Sequence, residues 1–234
     1  MVDMLFRQLF DTASSTFTYL IADRASGEAL MIDPVLEQVE NYDRLLAELD
    51  LKLVVTLETH THADHVTAAG RLADTHGSKI VTGEHSRAQC VHERLRDGET
   101  LRLGDVAVDA IYTPGHTDDS YCYRVHDRVF TGDTLLIRGT GRTDFQNGDA
   151  FAAWDSLFNK LLRLPDETFV YPGHDYKGWT VSTIGEERAH NPRLQVGSAQ
   201  EYADLMSKLN LPSPRLIDKA VPANLRCGRA AVSA

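Results

Sequence analysis

The sequence is poor in cysteine, in basic charge and in long apolar runs, and each shortage excludes something. Three cysteines occur in 234 residues, and Cys90, Cys122 and Cys227 are widely spaced with no C-x-x-C pair. They read as reduced, inert thiols rather than a disulfide framework, and they favour a reducing compartment. Lys and Arg total 24 against 34 Asp and Glu, a formal charge of −10. No basic block is present to neutralise a phosphate backbone, so nucleic acid is not expected as a partner. No apolar run approaches the roughly 20 residues that span a bilayer. Met1 to Phe10 carries Asp3 and Arg7 and lacks the apolar core of a secretory signal. These readings point to a cytoplasmic protein with no membrane partner. Hydrophobic residues make up 42% and charged residues 25%, close to the globular average, and the length suits one large core. No repeat, low-complexity tract or linker divides the chain. A single domain over residues 1–234 is expected, with a short helical and loop extension from about residue 180.

Short β-type runs at Phe17–Ala22 and Glu28–Ile32 flank a turn-rich Asp23–Gly27. Val39–Leu49 has apolar residues at helical spacing, and Leu51–Leu57 is a continuous apolar run of the kind buried on both faces of a sheet. Glu58–His65 follows as a polar loop, and Val66–His76 reads as a helix stopped by Gly77, with Asp64 and His65 at its start. Further strands are expected at Lys79–Thr82, Val106–Tyr112, Tyr121–Val125, Arg128–Phe130 and Thr168–Tyr171. Phe151, Trp154, Leu157, Phe158, Leu161 and Leu162 form an amphipathic helical stripe that reads as core, ended by Pro165. Pro192, Pro212, Pro214 and Pro222 act as breakers in the tail. Strands in each half with helices between them predict an α+β fold of two mixed sheets packed face to face, with helices outside.

The chemistry concentrates in four islands. Thr59-His60-Thr61-His62-Ala63-Asp64-His65 offers four candidate metal ligands in six residues, and in an extended loop His60 and His62 project to one side. Pro114-Gly115-His116-Thr117, Thr131-Gly132-Asp133-Thr134 and Tyr171-Pro172-Gly173-His174-Asp175-Tyr176 each place a ligand type just past a strand. Imidazole and carboxylate sets of this kind suit a catalytic metal. Ser120 has no evident His-Asp partner at a nucleophile elbow, so a serine hydrolase is disfavoured.

In order and spacing, His60-x-His62-x-Asp64-His65, His116, Asp133 and His174 resemble the metal-binding motifs of the metallo-β-lactamase superfamily, whose fold is an αββα sandwich. Three finer segments resemble the persulfide dioxygenase branch of that superfamily. They are Ile137-Arg138-Gly139-Thr140-Gly141-Arg142-Thr143-Asp144-Phe145-Gln146, Gly173-His174-Asp175-Tyr176 and Ala220-Val221-Pro222-Ala223-Asn224-Leu225-Arg226-Cys227-Gly228. The resemblance implies one non-haem Fe(II) per chain, held by His60, His116 and Asp133, and oxidation of glutathione persulfide by O2 to sulfite and glutathione. Two imidazoles and one carboxylate leave metal positions open for both reactants. His62, Asp64, His65 and His174 are then either groups that orient the ligands or ligands of a second metal. Arg142 and Tyr176 are candidate substrate contacts, and a homodimer is an expectation of the resemblance alone. Thr140 stands where some family members resemble a cysteine-containing loop.

The alternative is a two-metal hydroxyacylglutathione hydrolase of the glyoxalase II type, with Asp133 bridging the metals. Those hydrolases add a longer helical domain after the His174 region, whereas 60 residues follow it here and match the dioxygenase pattern.

Overall fold

Alternation within the strands sets the layers. The structure, a computed structural model, describes residues 3–212 and 216–229. Its first sheet contains β1 (Met4–Asp11), β2 (Thr16–Asp23), β3 (Glu28–Ile32), β4 (Lys52–Leu57), β5 (Lys79–Gly83) and β6 (Glu93–Leu95), in that spatial order. β1, β2 and β3 pair antiparallel, whereas β3 to β6 pair parallel. The second sheet is built from β7 (Thr100–Leu103), β8 (Val106–Tyr112), β9 (Tyr121–Val125) and β10 (Arg128–Gly132). After a small hairpin, β11 (Leu135–Leu136) with β12 (Gly139–Thr140), it is completed by β13 (Phe169–Pro172) and β14 (Ser182–Thr183). Its order is β14-β13-β10-β9-β8-β7, with β10 and β13 parallel and the other pairs antiparallel.

In β2, Phe17, Tyr19 and Ile21 face the second sheet, while Leu20 and Ala22 face the helices α1 (Val39–Glu48) and α2 (Ala69–His76). Phe130 and Tyr123 answer from the second sheet, and their neighbours Val129 and Cys122 pack outward. They meet α3 (Ala150–Asp155), α4 (Ile184–His190) and α5 (Ala199–Ser207), so helices cover both outer faces. Each large apolar side chain withdrawn from water in this way contributes about 1.5–3 kcal/mol. The αββα expectation is met.

Several local expectations change. β1, β6 and β7 were not expected from the sequence. α2 begins at Ala69 rather than Val66, because the Thr67 hydroxyl accepts the Ala69 N–H at 3.0 Å and Thr67 bridges Val35. Asp64 and His65 therefore lie in a loop. Gly77 ends the helix in the left-handed region, at φ 69°. α3, capped by the Asp149 side chain, gives way to a wide turn over Ser156–Lys160. Ala153, Leu157 and Leu161, four residues apart, face the core, and Phe151, expected in the core stripe, is instead 51% exposed. Pro222 lies inside α6 (Ile217–Asn224) rather than breaking it, and Pro214 falls outside the described residues.

The cysteine reading is corrected. Cys90 and Cys227 form a disulfide, with Cα atoms 6.2 Å apart across 137 residues of sequence. The tail after α6 folds back so that the Gly70 N–H donates to the Cys227 carbonyl at 2.8 Å and the Gln89 N–H to the Leu225 carbonyl at 2.9 Å. The pairing removes the cysteine argument for a reducing compartment, and Cys122, the free cysteine, is buried as packing. Among the described residues, no helix is long and apolar enough to cross a membrane.

Candidate metal centre

Strand direction gathers the four islands. β8, β10 and β13 run the same way, since β9 is antiparallel to both β8 and β10 while β13 is parallel to β10. The loops at their carboxy ends carry His116, Asp133 and His174, and the loop after β4 carries His60 to His65. Two backbone hydrogen bonds close the rim between the sheets, Tyr121 N–H to the Thr59 carbonyl at 2.8 Å and Phe17 N–H to the Gly173 carbonyl at 2.8 Å.

His60, His116 and Asp133 each present one ligand atom within 4.8 Å of the others. The His60 and His116 rings stand nearly perpendicular, at 85° and 5.0 Å between centroids. His116 Nδ1 lies 2.8 Å from the Arg142 carbonyl, which leaves Nε2 to face Asp133 Oδ2 at 3.6 Å. His60 Nδ1 lies 3.0 Å from the Thr59 hydroxyl, which donates to Asp33 Oδ2 at 2.8 Å. Each ring is thereby oriented from behind. Gly141 admits no side chain, because a Cβ there would lie 2.2 Å from the Asp133 carbonyl and 2.8 Å from His116 Nδ1.

Beside this set, His62, Asp64 and His65 form a second group of mutually close ligand atoms. His65 Nδ1 is 2.9 Å from Asp64 Oδ2. His174 Nε2 stands 3.5 Å from Asp64 Oδ2 and 3.6 Å from Asp133 Oδ1. All the imidazoles named in the first and fourth islands are buried. Burial holds His60 well below the ordinary imidazole range, aided by the charges of His62 and His116. For His174 burial acts the same way, but Asp133 and Asp64 outweigh it and push it up to about 10.

A metal fits these donors on structural grounds. Asp133 Oδ1 is buried with no hydrogen-bond partner, as is His65 Nε2, and such orphans are costly unless a cation or water satisfies them. Two imidazole nitrogens and a carboxylate oxygen are a donor set for iron or zinc.

The metal donors open into a cavity of about 840 Å³, whose lining includes His60, His116, Asp133 and His174. Both substrate-contact candidates line it. Tyr176 is stacked on His174 at 5.8 Å and is 72% exposed. Arg142 is already engaged, by Asp144 through two contacts of 2.7 and 2.8 Å and by the Pro212 carbonyl at 2.6 Å. Arg193 and Lys177 also line the cavity and were not singled out in the sequence. Also missed were Asp33, Glu58, Thr59 and Asn224, which stand behind the ligands. The strand-end rule that found Asp133 would have found Asp33, one residue past β3.

Residues 11–174 match the metallo-beta-lactamase superfamily. The chain belongs to that superfamily. Within it, the chain is 47% identical over 229 residues to the human mitochondrial persulfide dioxygenase ETHE1, covering 96% of this chain and 89% of that one. The crystal structure of ETHE1 from Myxococcus xanthus superposes with a TM-score of 0.94 at 54% identity, covering 96% and 100% of the two chains. The chain is therefore a member of the persulfide dioxygenase branch. A metallo-beta-lactamase from Staphylococcus aureus, at 23% identity and TM-score 0.90, covers 100% of this chain and 74% of its own length, and shares the fold.

Proposed function

We propose that this superfamily member is a persulfide dioxygenase that oxidises glutathione persulfide with O2 and water to sulfite and glutathione, using one Fe(II) held by His60, His116 and Asp133. The observation that carries the reading is a two-imidazole, one-carboxylate set at an 840 Å³ cavity in a chain 47% identical to a persulfide dioxygenase over nearly its whole length. Bound to that set, ferrous iron supplies open coordination positions and the electrons that activate O2.

The chain's own residues do the placing. Asp33 acting through Thr59, and the Arg142 carbonyl, fix the rings of His60 and His116. Asp64, His65 and His174 form a hydrogen-bonding wall beside Asp133 that orients the water the reaction consumes along with persulfide and O2. Arg193 and Lys177 give the cavity mouth positive charge in a chain of net −10, which suits the carboxylates of glutathione. Arg142, paired with Asp144, braces the loop against Pro212, and the Tyr176 hydroxyl offers a hydrogen bond to the peptide part of the substrate.

The two-metal thioester hydrolase is the less favoured reading, because the relatives at 46–47% identity are persulfide dioxygenases, whereas a relative named a probable metallo-hydrolase is 34% identical over a similar span. One preparation decides between them. Iron-loaded protein given glutathione persulfide and, separately, a glutathione thioester is expected to form sulfite from the first and to leave the second intact. Thioester hydrolysis without sulfite would reverse the assignment. A cytoplasmic location and a homodimer belong to the same proposal. The mammalian relatives named as mitochondrial set the competing outcome for cell fractionation, and sedimentation tests the dimer.

A further inference from the structure

The motif series puts His62 on the same footing as His60, yet the fold turns it elsewhere. Its ring lies 4.1 Å from that of His60, centroid to centroid, close enough to reach the same metal. Its Nε2, however, sits 3.1 Å from Asp33 Oδ1 and 3.5 Å from Glu58 Oε2. These are ion-pair contacts rather than aligned hydrogen bonds, since neither ring nitrogen has a hydrogen-bond partner. The nearest carboxylate to Nδ1 is Asp64, at 4.0 Å.

We propose that Glu58, with Asp33, is a positioning residue that holds His62 off the metal and so keeps the protein ligands to His60, His116 and Asp133. The inference rests on the one-metal reading above. Both carboxylates are fixed independently of His62. Asp33, in the left-handed region at φ 50°, takes the Thr59 N–H at 2.7 Å and the Thr59 hydroxyl at 2.8 Å. Glu58 takes the Thr67 hydroxyl on its other oxygen at 2.5 Å, and its backbone carbonyl takes the Tyr123 hydroxyl at 2.9 Å.

His62, Asp33 and Glu58 are 1%, 1% and 8% exposed, so water does not compete for them. If His62 swung to the metal, two buried carboxylates would face each other without a counterpart, an arrangement burial penalises heavily. A fourth protein ligand would also reduce the open positions that the two-imidazole, one-carboxylate set leaves on iron. The arrangement therefore keeps the metal open.

The test uses the full chain loaded with Co(II), a spectroscopic substitute for iron. Glu58→Gln keeps the shape and removes the charge that holds His62. We expect a chelator to strip Co(II) from Glu58→Gln more slowly than from wild type, on the order of tenfold, with a changed Co(II) absorption spectrum. Glu58→Gln combined with His62→Ala should return both readouts to wild-type values. A residue with only a structural role would act in the opposite direction, so faster or unchanged release in Glu58→Gln overturns the proposal. Slow release that persists in the double variant does so as well. X-ray absorption of the Co(II)-loaded wild type gives a check independent of any variant's folding. Two imidazoles on the metal are expected, and three would overturn the proposal. Metal analysis finding two ions per chain would overturn the one-metal reading and the inference with it. Loss of persulfide oxidation with these metal results intact would touch the proposed function alone.

Discussion

The side chain of Asn224 donates to the backbone carbonyl of His62 at 2.9 Å, although 162 residues of sequence separate them. The same amide donates to the His65 carbonyl at 2.9 Å and accepts from the Thr67 N–H at 2.9 Å. One buried residue at the end of the last helix thus satisfies three backbone groups of the ligand loop. Asn224→Ala leaves those groups unpaired and should destabilise the protein by about 3 kcal/mol, read from the urea midpoint. It should also lower metal retention, since the loop carrying His60 is no longer braced. An unchanged midpoint would remove Asn224 from this role.

The tail that holds Asn224 is pinned by the Cys90–Cys227 disulfide. Closing a loop of 137 residues restricts the unfolded chain, so Cys227→Ser or reduction should cost about 2–5 kcal/mol. Alkylation counts the thiols directly. The native protein should take up no label, the unfolded unreduced protein one, and the unfolded reduced protein all three. Three labels without reductant would contradict the pairing.

Burial pushes the Cys122 thiol up to about 12 from an ordinary value near 9, despite hydrogen bonds from Thr113 and Thr134. Between those two values the unfolded chain has released the thiol proton and the folded chain has kept it. The unfolded state then binds fewer protons, and stability falls as pH rises. This one group should contribute a slope of up to about 1.4 kcal/mol per pH unit above pH 9. Urea midpoints from pH 8 to 10.5 should fall less steeply in Cys122→Ala than in wild type. Parallel slopes would show that the thiol is not buried in the native state.

Much of this was legible in the chain and some of it was not, for identifiable reasons. The strands ending at Ile32 and Leu57 were visible because most of their residues are apolar and buried, and those ending at Tyr112 and Val125 because β-branched and aromatic residues dominate them despite Asp109 and Arg124. β1 escaped because it lies at the sheet edge, and its burial alternates irregularly from Leu5 to Asp11. The four ligand islands were readable because each follows a strand end. The groups behind them were harder to assign: Asp33 and Glu58 also follow strand ends, but their part in the site rests on contacts with the ligand loop, and that of Asn224 on a contact 162 residues away, which only the fold supplies. The disulfide was hidden for the same reason, as only the fold brings residues 90 and 227 together.

The ligand assignment separates two residues that the sequence treats alike. Asp133→Ala should abolish iron binding, whereas His62→Ala should leave iron largely bound, because His62 is turned toward Asp33. Metal analysis after anaerobic reconstitution and desalting reads both. Near-stoichiometric iron in Asp133→Ala would sink the assignment.

The most direct test of the account is O2 uptake by anaerobically Fe(II)-loaded protein on addition of freshly made glutathione persulfide, against an enzyme-free control for spontaneous decay. The account predicts uptake equimolar with the persulfide consumed and with the sulfite formed. Iron-loaded, folded protein that consumes no O2 above the control would contradict it.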